Sequence, residues 1–364
     1  MSVSWRGVAT DGAARTGVLQ TSHGEIATPT FMPVGTRGTV KTVDTEDLER
    51  VGAKMVLANT YHLMLRPTAE VVASLGELHG FMAWDGPILT DSGGYQVFSL
   101  NPKVSEEGVA FRSTYDGSRV ELTPEQAVQI QETLGSDVAM ILDVLIGLPA
   151  SREDTIAAMD RTLRWAARAV AARTRDDRSL WGIVQGGSDP ELRARSAAGT
   201  AQLGFEGFGI GGLSVGEPPQ ARNAAVTATI PELPIDKPRY VMGLGDTEGI
   251  LDCVQRGVDL FDCVLPTRLA RHGKVLTKGG DFSIKRVEWA SDSEPIEADC
   301  PCITCRRYSR GYVRHLFSTK EFLGPRLLSL HNLTYTLDLM SRVRVAIAAS
   351  RFEEFRTETI AARR

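Results

Sequence analysis

Residues 180–187, LWGIVQGG, form a short apolar run that ends in a glutamine and two glycines. Six further runs share this pattern of an apolar stretch followed by a polar or glycine-rich cluster: KMVLANT (54–60), PILTDSGG (87–94), VAMILD (138–143), FGIGGLSVG (208–216), YVMGLGD (240–246) and LFDCVLPT (260–267). Short apolar runs bounded by turn-forming residues are typical of buried strands. An eighth strand is expected either in IATPTFMPV (26–34) or after the cysteine-rich stretch at residues 299–305.

Helical patterns lie between many of these strands. Residues 123–136 open with Thr123, Pro124 and Gln126, a capping-box arrangement with proline at the first helical position. Residues 151–174 place apolar side chains at spacings of three and four: Ile156, Met159, Leu163, Ala166 and Val170. Strands that alternate with helices pair in parallel through right-handed crossovers. The chain is therefore predicted to be an α/β protein, a (β/α)8 TIM barrel forming a single catalytic domain over residues 1–364.

The composition sets further bounds. Hydrophobic residues make up 42% of the chain and charged residues 24%, as in soluble globular proteins. No apolar run approaches the roughly 18 residues of a membrane span, and the N-terminus lacks a signal-peptide pattern, so a cytoplasmic location without membrane contact is expected. Residues 264–364 carry 18 Lys and Arg against 11 Asp and Glu, whereas the preceding residues carry 23 against 34. This asymmetry suits either an anionic partner bound at one side or ordinary solvated helix surface.

Three of the five cysteines fall in DCPCITC (299–305). Cys300, Cys302 and Cys305 leave a tetrahedral ion one ligand short, and His331 is the next candidate, with His315 closer but among basic neighbours. A Cys3His set would form a closed, structural Zn²⁺ site, one per chain; three buried free cysteines are the alternative. Residues 281–331 interrupt the strand–helix alternation, so we expect them to form a zinc-binding insertion in the C-terminal part of the barrel.

Functional side chains in such a barrel come from the C-terminal ends of the strands. The residues at those ends are Asp91, Asp143, Gln185, Gly211, Gly212, Met242 and Asp262. Each alone could cap a loop, but together they predict a polar pocket. Two carboxylates at one site are the minimum for glycosidic chemistry, in which one attacks the anomeric carbon and the other manages a proton. Tyr95 offers a stacking face for a base, and Arg268 and Arg271 could hold a phosphate.

The ordered motifs resemble those of one known family. DSGGYQVFSL (91–100), IVQGG (183–187), GIGGLSVGE (209–217), YVMGLG (240–245), DLFDCVLPTR (259–268) and the C-x-C-x2-C…His set are similar to those of bacterial-type tRNA-guanine transglycosylases, also called queuine tRNA-ribosyltransferases. The resemblance implies a zinc-bearing (β/α)8 barrel that acts as a homodimer. It also implies the reaction, replacement of the wobble guanine in tRNAs with GUN anticodons (Asp, Asn, His and Tyr) by a 7-deazaguanine base, in queuosine biosynthesis.

The resemblance also implies roles for matching residues. Asp262 would be the nucleophile that forms a covalent ribosyl intermediate, and Asp91 the general acid/base. A separate hypothesis, from their position at the end of VLANT, is that Asn59 or Thr60 hydrogen-bonds Asp91. The residues that would bind the base are Ser92, Gly93, Gly94, Tyr95, Asp143, Gln185, Gly212, Leu213 and Met242. The residues matching the tRNA-contacting segments are Gly243, Leu244, Gly245, Asp246, Thr247, Glu248, Gly249, Thr267, Arg268, Leu269, Ala270 and Arg271.

The identity of the incoming base is the point at which the motifs disagree. Val144 and Leu145 replace the glutamate and cysteine that usually follow the base-reading aspartate in bacterial members, and eukaryotic members that use queuine carry apolar residues there. Glu217 instead matches the bacterial segment that accommodates the aminomethyl group of the prequeuosine base, 7-aminomethyl-7-deazaguanine. We expect the prequeuosine base, with queuine as the alternative.

Two other functions remain to be compared with this one. A zinc-dependent hydrolase would need histidine and carboxylate ligands at the strand ends, where only His62 is a candidate. A non-catalytic tRNA-binding partner subunit would be expected to lack the nucleophile, whereas Asp91 and Asp262 are both present.

Overall fold

A computed structural model describes residues 3–147, 149–213 and 216–364 of the chain. Its strands are, in chain order, β1 (Ser4–Asp11), β2 (Ala14–Thr21), β3 (Gly24–Thr28), β4 (Thr30–Gly35), β5 (Val56–Asn59), β6 (Ile88–Asp91), β7 (Lys103–Val104), β8 (Val109–Arg112), β9 (Arg119–Leu122), β10 (Val138–Met140), β11 (Ser179–Val184), β12 (Phe208–Ile210), β13 (Arg239–Val241), β14 (Leu260–Cys263), β15 (Lys274–Val275) and β16 (Phe282–Ser283). Its α-helices are α1 (Thr45–Arg50), α2 (Thr60–Leu65), α3 (Ala69–Ser74), α4 (Glu77–Met82), α5 (Gly94–Phe98), α6 (Pro124–Leu134), α7 (Arg152–Ala172), α8 (Pro190–Ala201), α9 (Pro219–Thr229), α10 (Thr247–Val254), α11 (Leu265–Arg271), α12 (Ile303–Arg307), α13 (Arg310–Ser318), α14 (Leu323–Ala348) and α15 (Phe352–Ala362).

Eight of these strands close into a barrel in the order β4–β5–β6–β10–β11–β12–β13–β14. Every neighbouring pair is parallel, including the closing pair in which Phe261 of β14 lies opposite Phe31 of β4. The predicted (β/α)8 barrel is confirmed. Its eighth strand, β4, lies in the first of the two segments expected to hold it, residues 26–34.

The predicted helices begin where their capping residues indicate. Thr123 caps α6 with both hydrogen bonds of the capping box, and Ser151 caps α7. The buried face of α7 was predicted wrongly at its end, because Val170 is 38% exposed. Trp165 and Ala169 turn toward the core instead, and the buried stripe through them is rotated away from Val170.

An antiparallel sheet of β1, β2 and β3 covers the N-terminal end of the barrel. Arg15 of β2 bonds Asp259, just before β14, through two nitrogens, and it also donates to the carbonyls of Ile235 and Lys237. A buried bidentate pair of this kind fixes both position and angle. The sheet therefore leaves the C-terminal mouth of the barrel free.

Two further additions flank that C-terminal mouth. The antiparallel sheet β7–β8–β9 lies between α5 and α6 in the chain. Residues 281–331 contain β16, α12, α13 and the start of α14, a helix of 26 residues that continues to Ala348 and packs against α11 and β4. Across the described ranges, no helix has both the length and the apolar character that a bilayer-spanning segment needs.

Candidate functional site

Asp91 and Asp262 lie at the C-terminal mouth of the barrel. Asp91 is the last residue of β6 and Asp262 the last but one of β14, and β4 and β5 separate these two strands around the barrel. Burial raises the pKa of Tyr240 well above its usual value, and the charges of Asp262 and Asp91 raise it further. Both carboxylates therefore act on the same buried phenol, as expected of groups that share a site.

Asp91 receives three hydrogen bonds. Asn59 Nδ2 donates to its Oδ2 over 2.6 Å, while the backbone N–H groups of Thr60 and Gly93 donate to its Oδ1 over 3.1 and 3.0 Å. Burial has the largest effect and raises the pKa of Asp91. The three hydrogen bonds lower this pKa, the charge of Asp262 raises it, and the resulting value is about 7. Asp91 can thus both hold and release a proton near neutral pH. The predicted contacts from Asn59 and Thr60 are both confirmed.

Asp262 is 9% exposed and is bonded through one oxygen only in the described structure. The Tyr240 hydroxyl donates to Oδ1 over 2.5 Å, and the Gly243 N–H donates to the same atom over 2.7 Å. Burial raises the pKa of Asp262, and these two bonds partly offset the rise. Because both donors hold Oδ1, the second oxygen remains available for chemistry.

Asp143 and Gln185 form a buried pair after the adjacent strands β10 and β11. Gln185 Nε2 donates to Asp143 Oδ2 over 2.5 Å. Burial raises the pKa of Asp143, the hydrogen bond from Gln185 lowers it, and the resulting value is about 6. The group is therefore mainly a carboxylate at neutral pH. Such a pair offers a planar ligand one acceptor group and one amide donor.

Glycines bring the backbone close to this pair. A Cβ atom on Gly94 would lie 2.8 Å from Asp143 Oδ1, and one on Gly211 would lie 2.9 Å from Gln185 Nε2. At Gly212 the clash with Gln185 Oε1 would be 2.3 Å, and φ is +65°. Any side chain at these positions would displace the two polar groups, so glycine is required by geometry.

Arg193 supports the same strand ends and was not predicted. It is completely buried in α8 and donates to the carbonyls of Gly187, Val184 and Gly211. Burial lowers the pKa of Arg193 to about 9, and the charge of Glu217 counteracts the effect. The only signal in the sequence was an arginine near apolar positions of a helix, which is common on solvated surfaces.

The remaining predicted base-binding residues differ in exposure. Ser92 is buried and its Oγ accepts from the Gly94 N–H over 3.3 Å. Tyr95, in α5 just after β6, is 58% exposed, whereas Leu213 is 5% exposed. The sulfur of Met242 lies beside Gly209 of β12, so this side chain borders the strand that precedes Gly211 and Gly212.

The predicted tRNA-contacting segments follow β13 and β14, at the same mouth. Their exposed members are Gly243, Asp246, Glu248 and Arg268; Leu269 and Arg271 are half-buried; Leu244, Gly245, Thr247, Gly249, Thr267 and Ala270 are buried. Thr247 shares a hydrogen bond with Tyr335 of α14, and Asp246 caps α10 through the Gly249 N–H. The buried residues of these segments thus hold the backbone that carries the exposed residues.

The residues that bear on the choice of base lie on two sides of this site. Val144 is 8% exposed and belongs to a buried apolar cluster that also contains Tyr61 and Trp165. Leu145 and Glu217 are half-buried. Ser214 and Val215 of the GIGGLSVGE motif lie outside the described residues.

Cys300, Cys302, Cys305 and His331 converge in a buried cluster. Their sulfurs lie 3.6, 3.6 and 3.3 Å from His331 Nδ1. Tetrahedral zinc with Zn–S near 2.3 Å and Zn–N near 2.0–2.1 Å would put sulfur and nitrogen about 3.6 Å apart. His331 Nε2 is 2.8 Å from the Leu276 carbonyl, a contact that orients Nδ1 toward the thiolates. The four residues fit a tetrahedral metal ion, and His315, exposed on α13, is not part of the set.

In the described part of the chain, one other group has metal-ligand spacing: His23, His79 and Asp137. Asp137 immediately precedes β10, at the N-terminal end of the barrel, away from Asp91 and Asp262. The histidine and carboxylate ligands that a catalytic metal would require are therefore not found at the mouth among the described residues, which disfavours the hydrolase.

Comparison with known proteins identifies the family of the chain. The family model for Queuine tRNA-ribosyltransferase matches residues 11–364. A protein of that name from Pelotomaculum thermopropionicum is 52% identical over 347 residues, which cover 95% of this chain and 94% of the relative. Namesakes from Herpetosiphon aurantiacus (52% identical, 95% and 88% covered) and Lysinibacillus sphaericus (49% identical, 95% and 91% covered) are also similar. The chain therefore belongs to the queuine tRNA-ribosyltransferase family of pentosyltransferases.

Proposed function

We propose that this protein is a tRNA-guanine transglycosylase that exchanges the wobble guanine of GUN-anticodon tRNAs (Asp, Asn, His and Tyr) for the prequeuosine base. The observation that carries the proposal is the pair Asp91 and Asp262, two carboxyl groups at the C-terminal mouth that have different hydrogen-bond partners and lie near enough for the charge of Asp262 to raise the pKa of Asp91. Two such groups can divide nucleophilic attack and proton transfer between them.

In the first half-reaction, Asp262 attacks C1′ of the nucleoside through the oxygen that Tyr240 and Gly243 leave free. The new C1′–O ester bond forms as the bond between C1′ and the guanine nitrogen breaks. Asp91, protonated to a large extent at its pKa of about 7, gives its proton to the departing guanine. The products are a covalent ribosyl ester, neutral guanine and an Asp91 carboxylate.

In the second half-reaction, Asp91 takes the ring N–H proton of the incoming 7-deazaguanine. The base nitrogen then attacks C1′ from the side that guanine left, and the Asp262 carboxylate is released. Two displacements retain configuration at C1′ and should give ping-pong kinetics. One glycosidic bond replaces another, so the chemistry needs no nucleotide cofactor.

Asp143, Gln185 and the Gly212 backbone supply recognition of the base. Guanine and 7-deazaguanines present N1–H and an exocyclic amine on one edge, which one carboxylate can accept together. The second N–H of the Gln185 amide and the Gly212 N–H can donate to O6. Tyr95, open at the mouth, can stack on a base drawn out of the anticodon, which offsets part of the unstacking cost of a few kcal/mol.

Cys300, Cys302, Cys305 and His331 would hold one structural zinc ion per chain. The set joins α12 to α14 and, through the Leu276 carbonyl, to the segment after β15. A Cys3His site is closed to water and substrate, so its contribution is to folding of residues 281–331. A cytoplasmic homodimer is the assembly and location that fit the proposal.

Glu217 supports the prequeuosine base over queuine. It is half-buried, and it acts electrostatically on Arg193 beneath the glycines of the pocket, where a carboxylate can attract a cationic aminomethyl group. Val144, which motivated the queuine alternative, is a buried member of the apolar cluster that contains Trp165 and Tyr61. A non-catalytic partner subunit is disfavoured because both carboxylates and the base-reading pair are retained.

The proposal is tested by exchange of radiolabelled guanine into transcribed tRNA whose anticodon begins G-U, with a transcript carrying A at the wobble position as control. The prequeuosine base and queuine are then compared as competitors. We expect exchange only with the first transcript and tighter competition by the prequeuosine base. Absence of exchange would refute the transglycosylase, and stronger competition by queuine would reverse the choice of base.

A further inference from the structure

Tyr115 organises a group of cations at the mouth of the barrel. It lies in the turn between β8 and β9, and the guanidinium carbons of Arg66 and Arg37 lie 4.9 and 5.4 Å from its ring centroid. Its hydroxyl is 3.1 Å from His62 Nδ1. Arginines within about 6 Å of an aromatic centroid are held by cation–π attraction. We call Arg37, Lys41, His62, Arg66 and Tyr115 the Tyr115 patch.

Among the residues that the structure describes, the cations of the patch have no acidic partners. Arg37, Lys41 and Arg66 are exposed, and none of them forms an ion pair with any residue that the structure describes. The nearest carboxylate in the sequence of the turn, Asp116, accepts hydrogen bonds from the backbone and hydroxyl of Ser118. Arg152 and Arg164 are also exposed, but each forms an ion pair with a carboxylate. Arg37 and Arg66 instead both lie over the ring of Tyr115.

Positive charge is concentrated enough at the patch to affect its histidine. Burial lowers the pKa of His62, and the charges of Arg37 and Lys41 lower it further. This field exists although residues 1–263 carry 23 Lys and Arg against 34 Asp and Glu. The patch is therefore a local basic area on the acidic part of the molecule.

The patch is connected directly to Asp91. Asn59 donates to Asp91 Oδ2 through its amide, and its Oδ1 accepts the backbone N–H of His62. Arg37 and Lys41 follow β4, and Arg66 follows α2 after β5, so all three come from the C-terminal ends of strands near β6. The patch therefore lies on the loops next to Asp91, where groups adjacent to a nucleotide bound at Asp91 can reach it.

We propose that the Tyr115 patch binds backbone phosphates of the substrate tRNA next to the nucleotide held between Asp91 and Asp262. The inference rests on the proposed function and extends it to residues outside the segments after β13 and β14. A nucleotide that leaves its stack brings its flanking phosphates to the rim of the pocket. Tyr115 holds two guanidinium groups in place before binding, which reduces the entropy cost of forming bidentate phosphate contacts.

The test compares the variant Arg37→Ala/Lys41→Ala, and the same variant with Arg66→Ala added, with Arg6→Ala/Lys54→Ala. The control also removes one exposed arginine and one exposed lysine, from β1 and from the segment before β5, at the opposite end of the barrel. The dissociation constant for tRNA is measured from low to high salt, together with base exchange and sedimentation velocity. Each lost phosphate contact should reduce the slope of log K against log salt by about 1.

We expect the triple variant to bind tRNA at least about tenfold more weakly at physiological salt, with a slope lower by two to three, since each contact contributes roughly 0.9 to that slope. Its Michaelis constant for the base should stay within about twofold, and the control variant should bind tRNA as the wild type does. Unchanged tRNA affinity and slope would overturn the inference, as would weaker binding accompanied by loss of the wild-type assembly, which would make the patch a protein–protein surface. A wild type without base exchange would instead refute the proposed function.

Discussion

Replacement of Asn59 by serine should move the pH dependence of catalysis upward. Asn59 has two roles: its amide donates to Asp91 Oδ2 over 2.6 Å, and its Oδ1 caps α2 by accepting from the His62 N–H. Serine is also a good N-cap residue, but it is too short to keep the bond to Asp91. Asn59→Ser therefore removes the donor and keeps the cap.

The size of the effect follows from the bond that is lost. A hydrogen bond to a charged group contributes roughly 1.5–3 kcal/mol, and one pKa unit corresponds to about 1.4 kcal/mol. The N–H groups of Thr60 and Gly93 still hold the carboxylate, so the lower end applies, a rise of about one unit. The wild-type pKa of Asp91 is about 7. Because the lost bond stabilised the charged form, the pKa rises to about 8.

The assay is the pH profile of kcat/KM for tRNA, which reports ionisations of the free enzyme. The first half-reaction uses protonated Asp91, so activity should fall as pH rises through its pKa, near pH 7 in the wild type and about one unit higher in Asn59→Ser. Asn59→Ala should show the same shift and, having lost the cap, about 1 kcal/mol less stability to urea. A basic limb that stays in place, or moves to lower pH, would refute the assignment of Asp91.

Further predictions concern four positions. Tyr240→Phe removes a donor to Asp262, so the pKa of Asp262 should rise and kcat should fall about tenfold at slightly acidic pH, with less effect at higher pH, as measured by the pH profile. Gly212→Ala should raise the Michaelis constant for the base. The control Gly204→Ala is also at positive φ but has open space around its Cβ, so it should lose only stability. Equal kinetics in the two variants would contradict the placement of Gly212 in the base-binding pocket. Burial opposes ionisation of Asp137, but bonds from His79, His23 and the Ile88 N–H outweigh it and lower its pKa to about 2. Asp137→Asn should therefore lose about 2 kcal/mol of unfolding free energy at pH 7, and the difference from wild type should disappear as pH falls from about 4 to about 2; a constant difference in urea titrations would exclude this origin. Cys302→Ala should abolish zinc binding and lower the melting temperature. If the zinc-free variant melts at the same temperature as the zinc-bound wild type, the cluster is not structural.

The barrel and its mouth could be predicted because both depend on local patterns. Short apolar runs that end in Asp91, Gln185 or Asp262 mark the strand and its functional end at once, and the topology of parallel strands places those ends together. The thiol spacing of Cys300, Cys302 and Cys305 likewise fixes a cluster within one short segment. In each case, the pattern that identifies the residue lies within a few positions of it in the sequence.

The features that sequence analysis missed depend on contacts between distant segments. Arg193 is an unremarkable helix arginine until the fold buries it beneath Gly187 and Gly211. The Tyr115 patch joins three separate loops, and Arg15 meets Asp259 across 244 residues. Val170 was assigned to the buried face from spacing alone, but the residues of α7 that are buried there are Trp165, Ala166 and Ala169. Periodicity gives the face of a helix only to within a residue, and packing decides the rest.

The central claim, that Asp262 becomes covalently attached to the ribose, is tested most directly by intact mass and peptide mapping. Wild type and Asp262→Asn are incubated with G-U anticodon tRNA, quenched in denaturant and digested with nuclease. The account predicts a nucleotide-sized adduct on the peptide that contains Asp262 in the wild type, no adduct in the variant, and loss of the adduct when the prequeuosine base is added before quenching. Full exchange activity in Asp262→Asn, or an adduct on any other residue, would contradict it.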